Sequence, residues 1–200
     1  MKKLRLKRSE LILKKIKYNS PVVLTFAALS LLSLILGRIS GGTTTQILFC
    51  VYRAPLADPL TYPRFFLHVL GHQNFSHYIS NMLLLLVIGP QLEERFGSSS
   101  LLWAIIGTAL ISGLVQFIFF PGAALLGASG IVFMMIIMST FLVYKRGTLP
   151  LTMILVFVLY IGGEIAKGVS QNDNISQLAH IIGGLCGGLF GYLMVSRKRA

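Results

Sequence analysis

A chain of 200 residues that is 54% hydrophobic and 12% charged, with a mean hydropathy of +0.77, suits one domain and is too apolar for a soluble one. Its net charge of +12 would fit nucleic acid, but eight of the 18 Lys and Arg lie within residues 1–17 and three more are Arg197, Lys198 and Arg199. Basic ends around an apolar body are the mark of a membrane protein beside an anionic surface, which argues against a nucleic-acid partner. Cys50 and Cys186 lie in unlike contexts and suggest no disulfide framework.

Residues 1–20 form a basic, partly amphipathic N-terminal tail, read as cytoplasmic or interfacial. Residues 21–196 form the apolar domain, and 197–200 a second basic tail. The first predicted span is Pro21–Leu36; with no small-x-small cleavage site after it, it reads as a retained span. Residues 38–70 contain Pro55, Pro59 and Pro63 and so are not one helix, while Phe65, Phe66, Leu67, Val69 and Leu70 suggest a loop partly embedded in the bilayer. The second span is Phe75–Val87, closed by Gly89-Pro90, with Gln91–Ser100 as a polar turn. The third is Leu101–Phe120, broken by Pro121-Gly122. The fourth is Ser129–Tyr144, closed by Lys145-Arg146, and the fifth is Leu149–Ile165. After a polar loop at 167–176, the sixth is Leu178–Val195.

Six spans put both ends on one side. With the ends inside, 14 cations lie inside, and only Arg38, Arg53, Arg64 and Lys167 lie outside. The expected fold is an all-α membrane protein, a six-helix bundle in the cell membrane with both termini cytoplasmic. A helix over Ser129–Tyr144 is about 24 Å long, against about 30 Å of hydrocarbon. Ser129 is therefore expected just below the outer surface. The irregular backbone before it, tolerated at that depth only within protein or beside water, implies a cavity opening outward.

The stretch Gly127-Ala128-Ser129-Gly130 sets a serine between glycines at the start of a helix. On this stretch alone an ordinary serine N-cap is the commoner explanation. Three other polar residues share its depth: His180 in the sixth span, and His77 and Asn81 in the second. Polar groups inside a bilayer are costly and are usually paired or functional. His180 continues into Gly183, Gly187 and Gly191, a small-residue face that lets helices approach closely. If the fourth span packs there, His180 can take the proton of Ser129 and make it a nucleophile. His77 and Asn81, four apart, share a face and can donate hydrogen bonds to a developing oxyanion. Glu164 with Lys167 reads as a snorkelling pair. Asp173 could approach His180, but nothing demands it, and a Ser–His dyad is favoured. A zinc site from His68, His72 and His77 is weakly supported by their spacing, and no metal, nucleotide or other cofactor site is read.

These residues together resemble the rhomboid family of intramembrane serine proteases. The resemblance covers about residues 21–196. It rests on Gly127-Ala128-Ser129-Gly130 for the family's G-x-S-G motif, and on His72, His77 and Asn81 for H-x4-H-x3-N. Ala179-His180 with Gly183 and Gly187 matches A-H-x2-G-x3-G, and Glu93-Glu94-Arg95-Phe96-Gly97 is similar to the E-x-R-x-G turn. The resemblance implies Ser129 as nucleophile and His180 as base. It also implies oxyanion binding by His77, Asn81 and the Ser129 amide, with His72 bracing the first outer loop. It implies transmembrane protein substrates and a lipid setting, without specifying a number of subunits. The family's Trp-Arg pair appears here as Pro63-Arg64, and the tyrosine that stacks on the histidine in the bacterial archetype is Phe133.

Overall fold

The computed structural model describes residues 19–143, 151–152, 154–156, 158–159, 162 and 174–197. Among the described residues it is all-helical, with no strands. Helix α1 is Pro21–Ile39, α2 Thr43–Leu48, α3 Thr61–Leu67 (prolonged by a 3-10 turn at His68–Leu70), α4 Phe75–Phe96, α5 Ser98–Phe119, α6 Ser129–Ser139 (prolonged by a 3-10 turn at Thr140–Leu142) and α7 Asn174–Arg197. Four of these, α1, α4, α5 and the Leu178–Ser196 part of α7, are long and apolar enough to cross a membrane, which makes this a multi-pass membrane protein. The α6 stretch Ser129–Leu142 is a shorter apolar helix. Of the expected fifth span, residues 151–152, 154–156, 158–159 and 162 are helical. The N-terminal tail up to residue 18, Tyr144, Lys145-Arg146, Glu164, Lys167, Asp173 and residues 198–200 lie outside the described residues.

Helix α6 is the centre of the bundle. Gly130, Ile131, Val132 and Met134–Met138 are all buried, so the helix is apolar around its whole circumference and is packed on every side. It packs most extensively on α7 and also on α4; α7 in turn meets α5, and α1 lies against α4. The α6–α7 contact is made by the glycine face. A Cβ at Gly183 would strike the Gly130 carbonyl oxygen and come 3.0 Å from Gly130 Cα; one at Gly187 would meet the Met134 carbonyl, and one at Gly191 the Phe141 ring. The obstacles at Gly183 and Gly187 are backbone, which cannot swing aside. Gly183→Ala is therefore expected to force α6 and α7 apart and to cost about 1–3 kcal/mol, the usual penalty of overpacking. The readout is the thermal midpoint in one detergent, with Gly188→Ala, where a Cβ meets nothing within 4 Å, as the matched control.

The structure corrects the expected end of the second span. Helix α4 does not stop at Gly89-Pro90 but runs to Phe96, so most of the expected polar turn Gln91–Ser100 is helix. Proline removes one helical hydrogen bond, yet the buried side continues unbroken through Leu85, Gly89, Leu92, Glu93 and Phe96 at helical spacing. Packing on α1 outweighs the lost bond: Gly89 lies so close to Val23 that a Cβ would be 2.7 Å from Val23 Cγ2. Gly97, at φ 91, ends the helix instead. The extra turn has a use. Glu93 is 4% exposed, and its two carboxylate oxygens accept the Val22 and Val23 amides at 3.0 Å each, capping α1; Oε1 also accepts the Ser98 hydroxyl at 2.7 Å. One acidic side chain thus ties the starts of α1 and α5 to the end of α4, and a carboxylate suits a helix N-terminus electrostatically.

At the opposite end, the connection from α1 to α4 folds into α2, α3 and the 3-10 turn. Arg64, 4% exposed, organises it. Its Nε donates to the Ile47 carbonyl at 2.7 Å, its Nη1 to Asp58 Oδ2 at 3.0 Å, and its guanidinium lies 4.7 Å from the Tyr52 ring centroid. The Leu60 backbone amide, and then Arg64, hold the Asp58 carboxyl below its ordinary value. The connection is fastened to the segment before α6 by a two-bond bridge, Val51 N to Leu125 O and back, each 2.9 Å.

Candidate active site

Ser129 is the first residue of α6, and Ala128 takes the N-cap position without a side-chain cap bond. The ordinary capping serine considered from sequence is therefore not what the chain builds. The turn before it depends on Gly127 at φ 129, a conformation that side chains rarely adopt. Its amide donates to the His68 carbonyl at 2.9 Å, and a Cβ there would lie 2.9 Å from His77 Cε1 and 3.0 Å from Nε2. Gly127 thus admits the His77 ring beside the serine turn. Gly130 touches α7, where a Cβ would be 3.3 Å from the Ala179 carbonyl, next to His180.

The second polar pair is set by the start of α4. Asn74 caps the helix, its Oδ1 accepting the His77 amide at 2.8 Å. Asn81 is buried, and its Nδ2 donates to the His77 carbonyl at 3.0 Å, which leaves the second N–H of that amide for another acceptor. His72 is 2% exposed; its Nδ1 bonds the Leu70 carbonyl at 3.1 Å and its ring packs edge-on against His77 at 5.1 Å. His68 has other partners, the Arg64 carbonyl at 3.1 Å and Ser112 Oγ at 3.3 Å. The two histidines are thus separately employed in the structure.

Ser129, His180, His77, Asn81 and Phe133 line one open cavity of about 320 Å³. They come from three helices that are far apart in sequence. Phe133, one turn after Ser129, stacks flat on His180 with ring centroids 4.2 Å apart and 4° between planes. Stacking limits the imidazole to a narrow range of orientations. The rest of the wall is Ser80, Leu84, Leu125, Leu126 and Val132. Leu84 is three residues from Asn81, and Val132 three from Ser129, so helical spacing could have revealed both. Leu125 and Leu126 sit in irregular backbone, where no periodic signal exists.

This arrangement can do acyl chemistry: a hydroxyl at a helix N-terminus, an oriented imidazole, and side-chain N–H groups converge on one recess. The chain also has recognisable relatives. It is 31% identical over 147 residues to rhomboid-related protein 1 of Caenorhabditis elegans, covering 66% of this chain and 40% of that protein. It is 28% identical over 184 residues to the rhomboid protease GluP of Bacillus subtilis, covering 88% and 35%. It is 27% identical over 161 residues to rhomboid-related protein 2 of Mus musculus, covering 70% and 53%. The chain thus spans roughly a third to a half of these relatives' own lengths. The rhomboid domain matches residues 59–197, from the connection that Arg64 organises to the end of α7. With that match taking in every helix that lines the cavity, the chain belongs to the rhomboid family.

Proposed function

We propose that the protein is an intramembrane serine endopeptidase that cleaves peptide bonds in or near transmembrane segments of other membrane proteins. The observation that carries the proposal is the meeting of Ser129, His180, His77 and Asn81 in one cavity, with Phe133 stacked on the histidine. In the proposed reaction Ser129 Oγ attacks the scissile carbonyl carbon while His180 takes its proton. The oxygen gains negative charge and is met by His77, the free N–H of Asn81 and the Ser129 amide. The C–N bond then breaks, the His180 proton passes to the leaving amine, and an acyl-enzyme remains. Water, deprotonated by His180, releases the acyl product and restores the serine. The direct test is a fluorophosphonate probe, expected to label Ser129 in the wild type and to leave Ser129→Ala unlabelled; equal labelling of both would refute the nucleophile.

The proposed topology has both termini in the cytoplasm and the cavity opening to the outer face. It is supported by the 14 cations on one side against four on the other, and by the spanning helices. Single cysteines at residues 2 and 199, in a background lacking Cys50 and Cys186, should resist an impermeant maleimide in intact cells and react after lysis. Labelling of either in intact cells would contradict this topology.

Phe133→Tyr is expected to change turnover by less than about tenfold, or ~1.4 kcal/mol in barrier. The ring, already stacked parallel on His180, does the positioning, and a phenol preserves it. Inactivation of a normally folded Phe133→Tyr protein would show that the cavity has no room for the hydroxyl.

A further inference from the structure

At the same end of the bundle as the catalytic cavity lies a second, separate cavity of about 420 Å³, between the end of α1, α2 and the segment leading into α4. Its wall includes Leu34, Arg38, Gln46, His72, Gln73 and Leu126. We propose that it binds the headgroup of an anionic phospholipid, and that the bound lipid acts on the catalytic cavity through Leu126 and His72.

The charge comes from Arg38. It is exposed in the last turn of α1, a candidate membrane span, so it lies at the membrane boundary. Among the described residues no carboxylate is within ion-pair distance of it; the ion pair found there is Arg64 with Asp58. A guanidinium with two amide side chains beside it suits a phosphate diester, which it can bind in a fork. The rim is the turn Gly41-Gly42, at φ 61 and 93, where a Cβ would meet nothing within 4 Å, so the approach to Arg38 is open.

The remainder of the ligand follows from the helix face. Ile35 and Leu31 lie three and seven residues before Arg38 and so on its face, and both are exposed, at 45% and 37%. A molecule with its phosphate on Arg38 would lay an apolar chain along Ile35 and Leu31. This favours a lipid over a free phosphate. The polar wall adds a preference within the headgroup. The amide side chains of Gln46 and Gln73 on that wall can both donate to and accept from hydroxyls. A glycerol headgroup carries such hydroxyls, which makes phosphatidylglycerol the natural occupant.

Two contacts link this cavity to catalysis. Leu126 lines both cavities and immediately precedes Gly127, whose conformation sets the Ser129 turn. His72 lines the lipid cavity and packs edge-on against His77. Occupancy would thus bias the serine turn and a proposed oxyanion donor together.

The regulatory half rests on the proposed serine chemistry; the binding half does not. The full chain is reconstituted in vesicles of phosphatidylcholine, of equal parts phosphatidylcholine and phosphatidylglycerol, and of phosphatidylcholine with soluble sn-glycerol 3-phosphate. Retained lipid is counted by native mass spectrometry, and fluorophosphonate labelling of Ser129 is timed. Wild-type protein should retain phosphatidylglycerol and Arg38→Gln should lose it. Labelling should be about fivefold faster with phosphatidylglycerol, the lower end of usual coupling, and Arg38→Gln should lack the gain while labelling normally in phosphatidylcholine. Gln73→Leu, a milder change in the same wall, should weaken retention. Equal retention by wild type and Arg38→Gln overturns the site. Retention that depends on Arg38 with unchanged labelling overturns the coupling, and equal acceleration by glycerol phosphate overturns the lipid assignment. No labelling in any vesicle refutes the serine chemistry, while retention still decides the site.

Discussion

Ser129→Ala and His180→Ala are each expected to remove about 10⁶-fold of turnover on a transmembrane substrate, leaving only background cleavage. The size follows from how such groups act: nucleophile and base work as one unit, so losing either costs nearly as much as losing both. Neither substitution should unfold the protein. Ser129 and His180 are only partly buried, and both line an open cavity, so truncation enlarges a recess that already exists. The neighbouring close packing is carried by Gly130, Gly183 and Gly187, which are untouched. The double variant is the informative control: it should be no slower than either single variant, because the two share one function. The measurements are single-turnover cleavage and thermal midpoint in the same detergent. Well-folded His180→Ala protein with wild-type turnover would remove the base from the mechanism.

The second large effect concerns His77 and Asn81. Their proposed partner is charge that exists only in the transition state, so His77→Ala and Asn81→Ala should lower kcat with little change in KM. Loss of one oxyanion donor typically costs about 10²–10³ in rate. The loss at Asn81 should be the purer one kinetically, since its amide has one N–H engaged with the His77 carbonyl and one to offer. At His77 a structural share is expected as well, because the ring fills the space beside Gly127 and packs on His72. Its removal frees the Gly127 turn and should lower the thermal midpoint measurably. Normal turnover per folded molecule in both variants would leave the oxyanion to backbone amides alone.

The sequence by itself determined the class of protein and which residues are candidates for its chemistry. Apolar runs long enough to span a bilayer must become helices, since no other open structure satisfies its backbone there. That is why the spans at Pro21, Leu101 and Leu178 are legible to within a few residues at most of their ends. The glycines at 183, 187 and 191 announce a close helix contact, because their spacing puts them on one face. The pairs His77 with Asn81 and Ser129 with Phe133 likewise fall one helical turn apart by their positions in the chain.

Tertiary packing decided the rest. Pro90 reads as a helix end, but the neighbour that keeps α4 helical past it is Val23, nearly seventy residues away in sequence. Glu93 reads in the sequence as part of the Glu93–Gly97 turn; that it caps α1 depends on where α1 ends up. The capping position fell to Ala128 rather than Ser129 because Gly127, held by the His68 carbonyl and adjacent to His77, turns one residue earlier. Leu125 and Leu126 became walls of the cavity through a bridge to Val51. In each case the deciding partner is remote in sequence. Local propensity is a sum over near neighbours, whereas these outcomes turn on single contacts that exist only once the helices have met.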